Sequence, residues 1–110
     1  MELDVTIGSK SLGVDIENPY KFDARTATEK IVHFGRENGV DISELKIDSL
    51  IAKMIKGVAG CEHGCPSDAK GLVSRGFGDF KLDYIDGGIL SAVHELNDGK
   101  SVTLKLFPGF

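Results

Sequence analysis

The chain has 110 residues, of which 41% are hydrophobic and 27% are charged, and its formal net charge is −4. These values predict one folded domain, residues 1–110, around one apolar core. Lysine and arginine are scattered along the chain, so we expect no nucleic-acid partner. No apolar run approaches the roughly 18 residues that span a bilayer, and the first residues lack a signal-peptide pattern. We therefore expect no membrane partner and a cytoplasmic location.

The first predicted elements are two strands. Leu3, Val5 and Ile7 alternate with polar residues, which is the two-residue period of a half-buried strand. The same alternation returns at residues 11–17, after a turn that contains glycine. Two such runs on either side of a short turn predict a β-hairpin.

A first helix follows the hairpin. Thr26 and Glu29 have the spacing of a capping box, in which each side chain bonds a backbone N–H group at the start of a helix. Asp23 is a competing cap three residues earlier. The run Glu-Asn-Gly at residues 37–39 supplies a typical C-terminal stop.

Two further helices are expected in the middle of the chain. One begins near Asp48, carries a single apolar stripe and ends at about Gly60. The next begins around Pro66, because proline suits the first position of a helix, where its missing N–H group would have been unpaired. Residues 60–65 then form the corner between these two helices.

The last third of the chain returns to a period of two and predicts three strands. The loop before the final strand decides where His94 points. If Asn97-Asp98-Gly99 is a three-residue loop that ends in a left-handed glycine, His94 faces Val102 and the apolar residues gather on one side. The predicted fold class is therefore α+β, in the order ββαααβββ, with a mainly antiparallel sheet of about five strands and three helices packed on one face.

The predicted corner reads Cys-Glu-His-Gly-Cys at residues 61–65, and it contains both cysteines and one of the three histidines. Thiolate and imidazole groups bind zinc or another transition metal. In this interpretation Cys61, His63 and Cys65 are metal ligands, and His94 is the candidate for a fourth. A position without a protein ligand would hold water and support Lewis-acid chemistry.

Thiol redox chemistry is the second interpretation of the same corner. If Cys65 caps the third helix, its sulfur lies at the positive end of the helix dipole, which lowers a thiol pKa. Cys65 would then be the attacking catalytic thiolate, and Cys61 would resolve the mixed disulfide. Asp68, one turn into the helix, would oppose thiolate formation.

A structural interpretation competes with both chemical ones. Cysteine without a disulfide is often a buried apolar residue, and a histidine on an apolar strand face is more often a hydrogen-bonded core residue than a ligand. The chain would then be a non-catalytic interaction module. Its partner, either a second copy or another protein, would bind an exposed strand edge or the aromatic tail of Phe107 and Phe110. Whether the chain is an enzyme stays open at this point.

Overall fold

The chain folds into a five-stranded antiparallel sheet and three α-helices, which confirms the predicted α+β class. The computed structural model describes residues 1–18, 21–59, 66–85, 88–96 and 99–107. The strands are β1 Glu2–Ile7, β2 Lys10–Asp15, β3 Lys81–Ile85, β4 Ile89–Glu95 and β5 Ser101–Phe107. The helices are α1 Ala24–Glu37, α2 Ile47–Ala59 and α3 Pro66–Arg75, and a 3₁₀ turn at Ser43–Leu45, which the sequence did not predict, precedes α2.

The order of strands across the sheet is β2-β1-β5-β4-β3, and every neighbouring pair is antiparallel. β1 and β2 form the predicted hairpin around Gly8, whose φ of 62° requires the left-handed region that glycine tolerates. β2 and β3 are the two edges of the sheet. The three helices therefore lie, in sequence, between one edge strand and the other.

The register of the last two strands is the one that the three-residue loop predicts. His94 faces Val102, Ala92 faces Leu104, and Gly99 has a φ of 76°. Asn97 and Asp98, the first two loop residues of that prediction, lie outside the described residues. Because a shift of one residue would invert every side chain, this register places His94 on the side of the sheet that carries the core.

Burial distinguishes two faces of the sheet. It alternates along β1 and β5, whereas Leu90, Ser91 and Ala92 of β4 are all buried. On one side, which we call the covered face, the central side chains are 2% exposed or less. They belong to Leu3, Val5, Ile7, Leu90, Ala92, Val102, Leu104 and Leu106. The opposite side, which we call the open face, carries mostly polar side chains such as Asp4, Thr6, Ser91, Thr103 and Lys105. The helices pack on the covered face and complete the core there.

Of the two candidate caps, Asp23 and not Thr26 is the N-cap of α1, so the alternative capping box of Thr26 and Glu29 is not the one that forms. The carboxylate of Asp23 accepts hydrogen bonds from the backbone N–H of Arg25 at 3.0 Å and that of Thr26 at 3.4 Å, while the Thr26 hydroxyl donates to it at 2.8 Å. An aspartate cap is as favourable as a threonine cap or more so, and starting at Ala24 gives the helix an additional turn. The predicted stop is confirmed, because Asn38 is the C-cap and Gly39 has a φ of 78°.

α2 is the central helix of the layer and packs against both α1 and α3. Its buried stripe of Ile47, Leu50, Ile51 and Met54 is at most 1% exposed. Full burial of each such side chain contributes about 1.5–3 kcal/mol to stability, so this stripe holds the helices on the sheet.

In the part of the chain that the structure describes, no helix is both long and apolar enough to cross a membrane.

Candidate functional site

The corner lies between α2, which extends to Ala59, and α3, which is described from Pro66. Pro66 is helical, in agreement with its predicted place at the start of the third helix. Cys61, His63 and Cys65, the predicted site residues of this corner, lie outside the described residues, and so does Gly60, the predicted end of the second helix. The structure thus gives the frame of the predicted site: two packed helices whose connection is residues 60–65.

His94 lies on the covered face of β4, where its ring packs against Phe80. The two ring centroids are 5.3 Å apart, and the ring planes are inclined by 41°. The Nδ1 atom of His94 is buried and has no hydrogen-bond partner among the described residues. The sequence suggested a hydrogen-bonded core histidine or a metal ligand, and the described contacts of this nitrogen supply neither partner.

Along the chain, α3 lies between the corner and Phe80, the residue that packs against His94. Phe80 follows the C-terminal end of α3, whereas Cys65 precedes its N-terminal end. Ten helical residues with a rise of 1.5 Å each separate those two ends by about 14 Å. The participation of His94 as a fourth ligand stays a prediction.

His33 occupies a solvent-exposed position on α1. Its side chain is 74% exposed, and its Nε2 atom lies 2.7 Å from a carboxylate oxygen of Glu37, one turn later in the helix. Among the described residues, no three or more histidine, cysteine, aspartate or glutamate side chains come together as a metal-binding group. His33 is therefore best explained as a surface residue of α1.

Among the described carboxyl groups, two have clearly lowered pKa values: Asp23, the N-cap of α1, and Asp41, just before the 3₁₀ turn. The hydroxyl of Thr26 and then its backbone N–H hydrogen-bond the Asp23 carboxylate and lower its pKa. Ser43 does the same to Asp41, first through its hydroxyl, which lies 2.7 Å from the carboxylate, and then through its backbone N–H. Because hydrogen bonds to the charged form favour that form, these groups stabilise local structure and do not resemble a general acid or base.

A cationic groove runs between α2 and α3. The described residues of its walls are Lys53, Lys56 and Gly57 of α2 and Leu72 and Arg75 of α3, and its volume is about 210 Å³. The two lysines are three residues apart and therefore lie on one side of α2. Sequence reasoning missed this site because Arg75 is far from the lysines along the chain. The sequence did contain a signal for the packing of α2 on α3, because both helices are amphipathic and a short connection joins them.

A second cavity adjoins the groove at Lys53. The Nζ atom of this lysine lies 5.1 Å from the centre of the Phe77 ring, within the range of a cation–π contact. The cavity has a volume of about 460 Å³. Its lining combines apolar, cationic and acidic residues: Glu44, Leu45, Lys46, Lys53, Gly76, Phe77, Gly78, Asp79 and Phe80.

Comparisons with known proteins give no match: no protein-family model, curated protein or solved structure is similar to this chain at a significant level. Three features of the chain itself bear on its function: the corner at residues 60–65, the cationic groove with its adjoining cavity, and the open face of the sheet.

Proposed function

We propose that this chain binds a transition metal ion, with zinc as the first candidate, at the corner between α2 and α3. The ligands are Cys61, His63 and Cys65. The observation that carries the proposal is the position of the connection: both cysteines and one histidine of the chain fall within residues 60–65, between two helix ends that packing holds side by side. Helices in contact are about 8–10 Å apart, so a short connection keeps its side chains close together.

The ligand types decide which metals suit the corner. Two thiolates and one imidazole favour zinc or another borderline metal over magnesium or calcium, which prefer oxygen ligands. With three protein ligands, the fourth position would hold water, whose pKa the metal lowers. With a fourth ligand such as His94, the site would be closed and structural. This difference separates a catalytic from a structural metal site.

Thiol redox chemistry is the alternative at the same residues. Because α3 begins at Pro66, Cys65 is adjacent in sequence to the first helical residue, where the helix dipole favours an anion. Cys65 would attack a disulfide of the substrate and form a mixed disulfide. Cys61 would then displace the substrate thiol and leave an intramolecular Cys61–Cys65 disulfide.

Elemental analysis of tag-free protein that was purified without chelator tests the metal proposal. We expect about one zinc or other transition-metal ion per chain, lost in a Cys61→Ser, Cys65→Ser double variant and reduced in His63→Ala. His33→Ala is the matched control, because it removes an exposed histidine elsewhere and should leave the metal content unchanged. Metal content that is absent, or equal in all variants, contradicts the proposal.

The redox alternative has a different signature. Iodoacetamide would alkylate a reactive Cys65 thiolate at a pH well below about 8.5, the pKa of an ordinary thiol. Oxidised glutathione would convert the pair to an internal disulfide that lowers the mass by two hydrogens. Metal-free protein with both properties supports the redox function, and unreactive thiols leave the interaction module as the remaining candidate.

A protein-interaction function is a second candidate, favoured by one specific observation. Ile85 is 40% exposed on the open side of the edge strand β3, directly opposite Ile89, and Phe107 is half-buried on the same face. An exposed apolar group at a strand edge suits a protein partner or a second copy. Sedimentation velocity over a range of concentrations tests self-association. An Ile85→Lys variant should abolish any dimer, and Lys81→Glu on the same strand serves as a control.

A further inference from the structure

We propose that the groove between α2 and α3 binds the phosphate group of a small phosphorylated molecule. The described residues that line the groove are Lys53, Lys56, Gly57, Leu72 and Arg75. None of them is a residue of the metal or redox corner, and the phosphate site does not depend on the function proposed there.

The charge of the groove is opposite to that of the chain. Of the five described residues that line it, three are cations and none is a carboxylate, although the chain as a whole has a net charge of −4. The ion pair found among the described side chains joins His33 and Glu37, which lie on α1 and not in the groove. The groove cations thus have no described carboxylate within ion-pair distance, so a bound anion would be their counter-ion.

Helix stability explains part of this arrangement but not all of it. Lys56 and Arg75 lie in the last turns of their helices, where a cation interacts favourably with the helix dipole. Lys53 lies one turn earlier, and it brings a like charge to the same side of α2 as Lys56. Like charges at this spacing repel each other. An anion in the groove converts that repulsion into a shared attraction.

Phosphate fits these cations better than a carboxylate does. A phosphate monoester carries close to two negative charges at neutral pH and offers three strong acceptor oxygens, so it can satisfy three cations together. The Arg75 guanidinium can donate two parallel hydrogen bonds to two of those oxygens, while each lysine contributes a point charge. Gly57, which has no side chain, leaves room for the group beside these cations.

The sizes of the two cavities indicate a phosphorylated molecule and not free phosphate alone. Small-molecule sites usually have volumes of about 300–1,000 Å³, so a groove of about 210 Å³ suits only a head group. The adjoining cavity of about 460 Å³ falls within that range and shares Lys53 with the groove. Phe77 gives it an apolar wall, and Glu44 and Asp79 can accept hydrogen bonds from hydroxyl groups. We expect an uncharged, hydroxyl-bearing body there.

An NMR titration of the full-length chain tests the site. The probes are inorganic phosphate, glucose 6-phosphate and adenosine monophosphate, each added at low ionic strength. We expect saturable amide shifts in residues 53–57 and 72–76 and at least tenfold tighter binding of one organic phosphate than of inorganic phosphate. A Lys56→Gln, Arg75→Gln variant should bind at least tenfold more weakly. Lys70→Gln is the matched control, because Lys70 is exposed on α3 but does not line the groove.

Other results overturn the proposal in distinct ways. Equal weakening in Lys70→Gln and the double variant means non-specific charge attraction, and the absence of saturation means no site. Tighter binding of an oligonucleotide than of every small phosphate assigns the groove to nucleic acid instead. If the double variant is unfolded by circular dichroism, Arg75→Lys replaces it: the charge stays, the two-pronged hydrogen bond is lost, and binding should weaken severalfold. A Cys61→Ser, Cys65→Ser variant should bind phosphate normally, which separates this site from the corner.

Discussion

The covered and open faces of the same sheet differ in which side chains they accept. Leu104 on the covered face is fully buried, whereas its chain neighbour Thr103 points to the open face and is half-exposed. The covered face excludes water through contacts with the helices, so it accepts only side chains of the right size and polarity. The open face is more exposed, although Ser91 there is only 6% exposed, and it tolerates a wider range of side chains. This contrast places most of the stability on one side of the sheet and leaves the other side free to change.

Two exceptions show where the contrast is informative. His94 brings a ring nitrogen without a described partner onto the covered face. Ile85 places an exposed apolar side chain on the open face. A buried polar group and an exposed apolar group are each unfavourable for a monomer. We therefore regard these two positions, more than the regular ones, as candidates for interactions with something besides the described residues.

The largest expected effect is the loss of a central covered-face side chain. Leu104→Ala should lower the free energy of unfolding by about 2–5 kcal/mol, because it removes buried methyl groups and leaves a cavity. Thr103→Ala, one position away, should change it by less than about 0.5 kcal/mol. Urea denaturation of both variants measures the difference. Similar losses in the two variants would mean that the open face is also buried, for example in a dimer.

The features of this contrast that could be predicted from sequence are the periodic ones. Alternation at Leu3, Val5 and Ile7 predicted β1, and the requirement for one coherent apolar face selected the register that pairs His94 with Val102. Pro66 marked the start of α3. Each of these signals is local or repeats within a few residues, so it survives without knowledge of the tertiary structure.

The features that could not be predicted depend on competition or on distance. Asp23 and Thr26 are both good caps, and only the final geometry shows that the Thr26 hydroxyl donates to Asp23. The cationic groove needs the packing of α2 on α3, which brings Arg75 beside Lys53. In contrast, the candidate corner at residues 60–65 was identified by composition alone, so its chemistry remains a proposal.

A second prediction applies the same contrast between crowded and open surroundings to two helical glycines. A Cβ atom at Gly35 of α1 would lie 3.0 Å from the Val40 carbonyl oxygen and 3.2 Å from the Ile42 side chain. At Gly71 of α3, its nearest neighbour would be the Arg75 guanidinium at 3.7 Å, an ordinary contact. Gly35→Ala should therefore destabilise the protein by about 1–2 kcal/mol despite the better helix propensity of alanine.

Gly71→Ala is the matched variant and should stabilise the protein by up to about 1 kcal/mol, because only the helix-propensity gain remains. Thermal unfolding followed by circular dichroism compares the two. If Gly35→Ala is as stable as Gly71→Ala, the segment at Val40 moves away without cost, and the packing of α1 is looser than its contacts indicate.

The third prediction concerns the polar exception on the covered face. His94→Phe keeps an aromatic ring against Phe80 and removes the nitrogen without a described partner, so we expect a gain of about 1 kcal/mol in the free energy of unfolding. His94→Gln keeps a polar group and loses the ring contact, so it should be less stable than the wild type. Urea denaturation gives both values. A clear loss in His94→Phe would contradict the absence of a partner and would favour His94 as a ligand.

The smallest expected effect lies at the outer end of the helical layer, where the cap of α1 is in water. Asp23→Asn preserves the cap acceptor but removes the charge that the hydroxyl and N–H of Thr26 stabilise. The folded-state pKa of Asp23 is below its ordinary value of 3.8. The charged carboxylate therefore stabilises the fold above pH 3.8, and this stabilisation is lost as the pH falls through the folded-state pKa. The wild type should thus be slightly more stable than the variant at pH 7, and the two melting temperatures should converge in acid.

A Thr26→Val variant should raise the pKa of Asp23 toward 3.8 in a carboxyl NMR titration, and an unchanged pKa would show that the hydroxyl does not hold the cap.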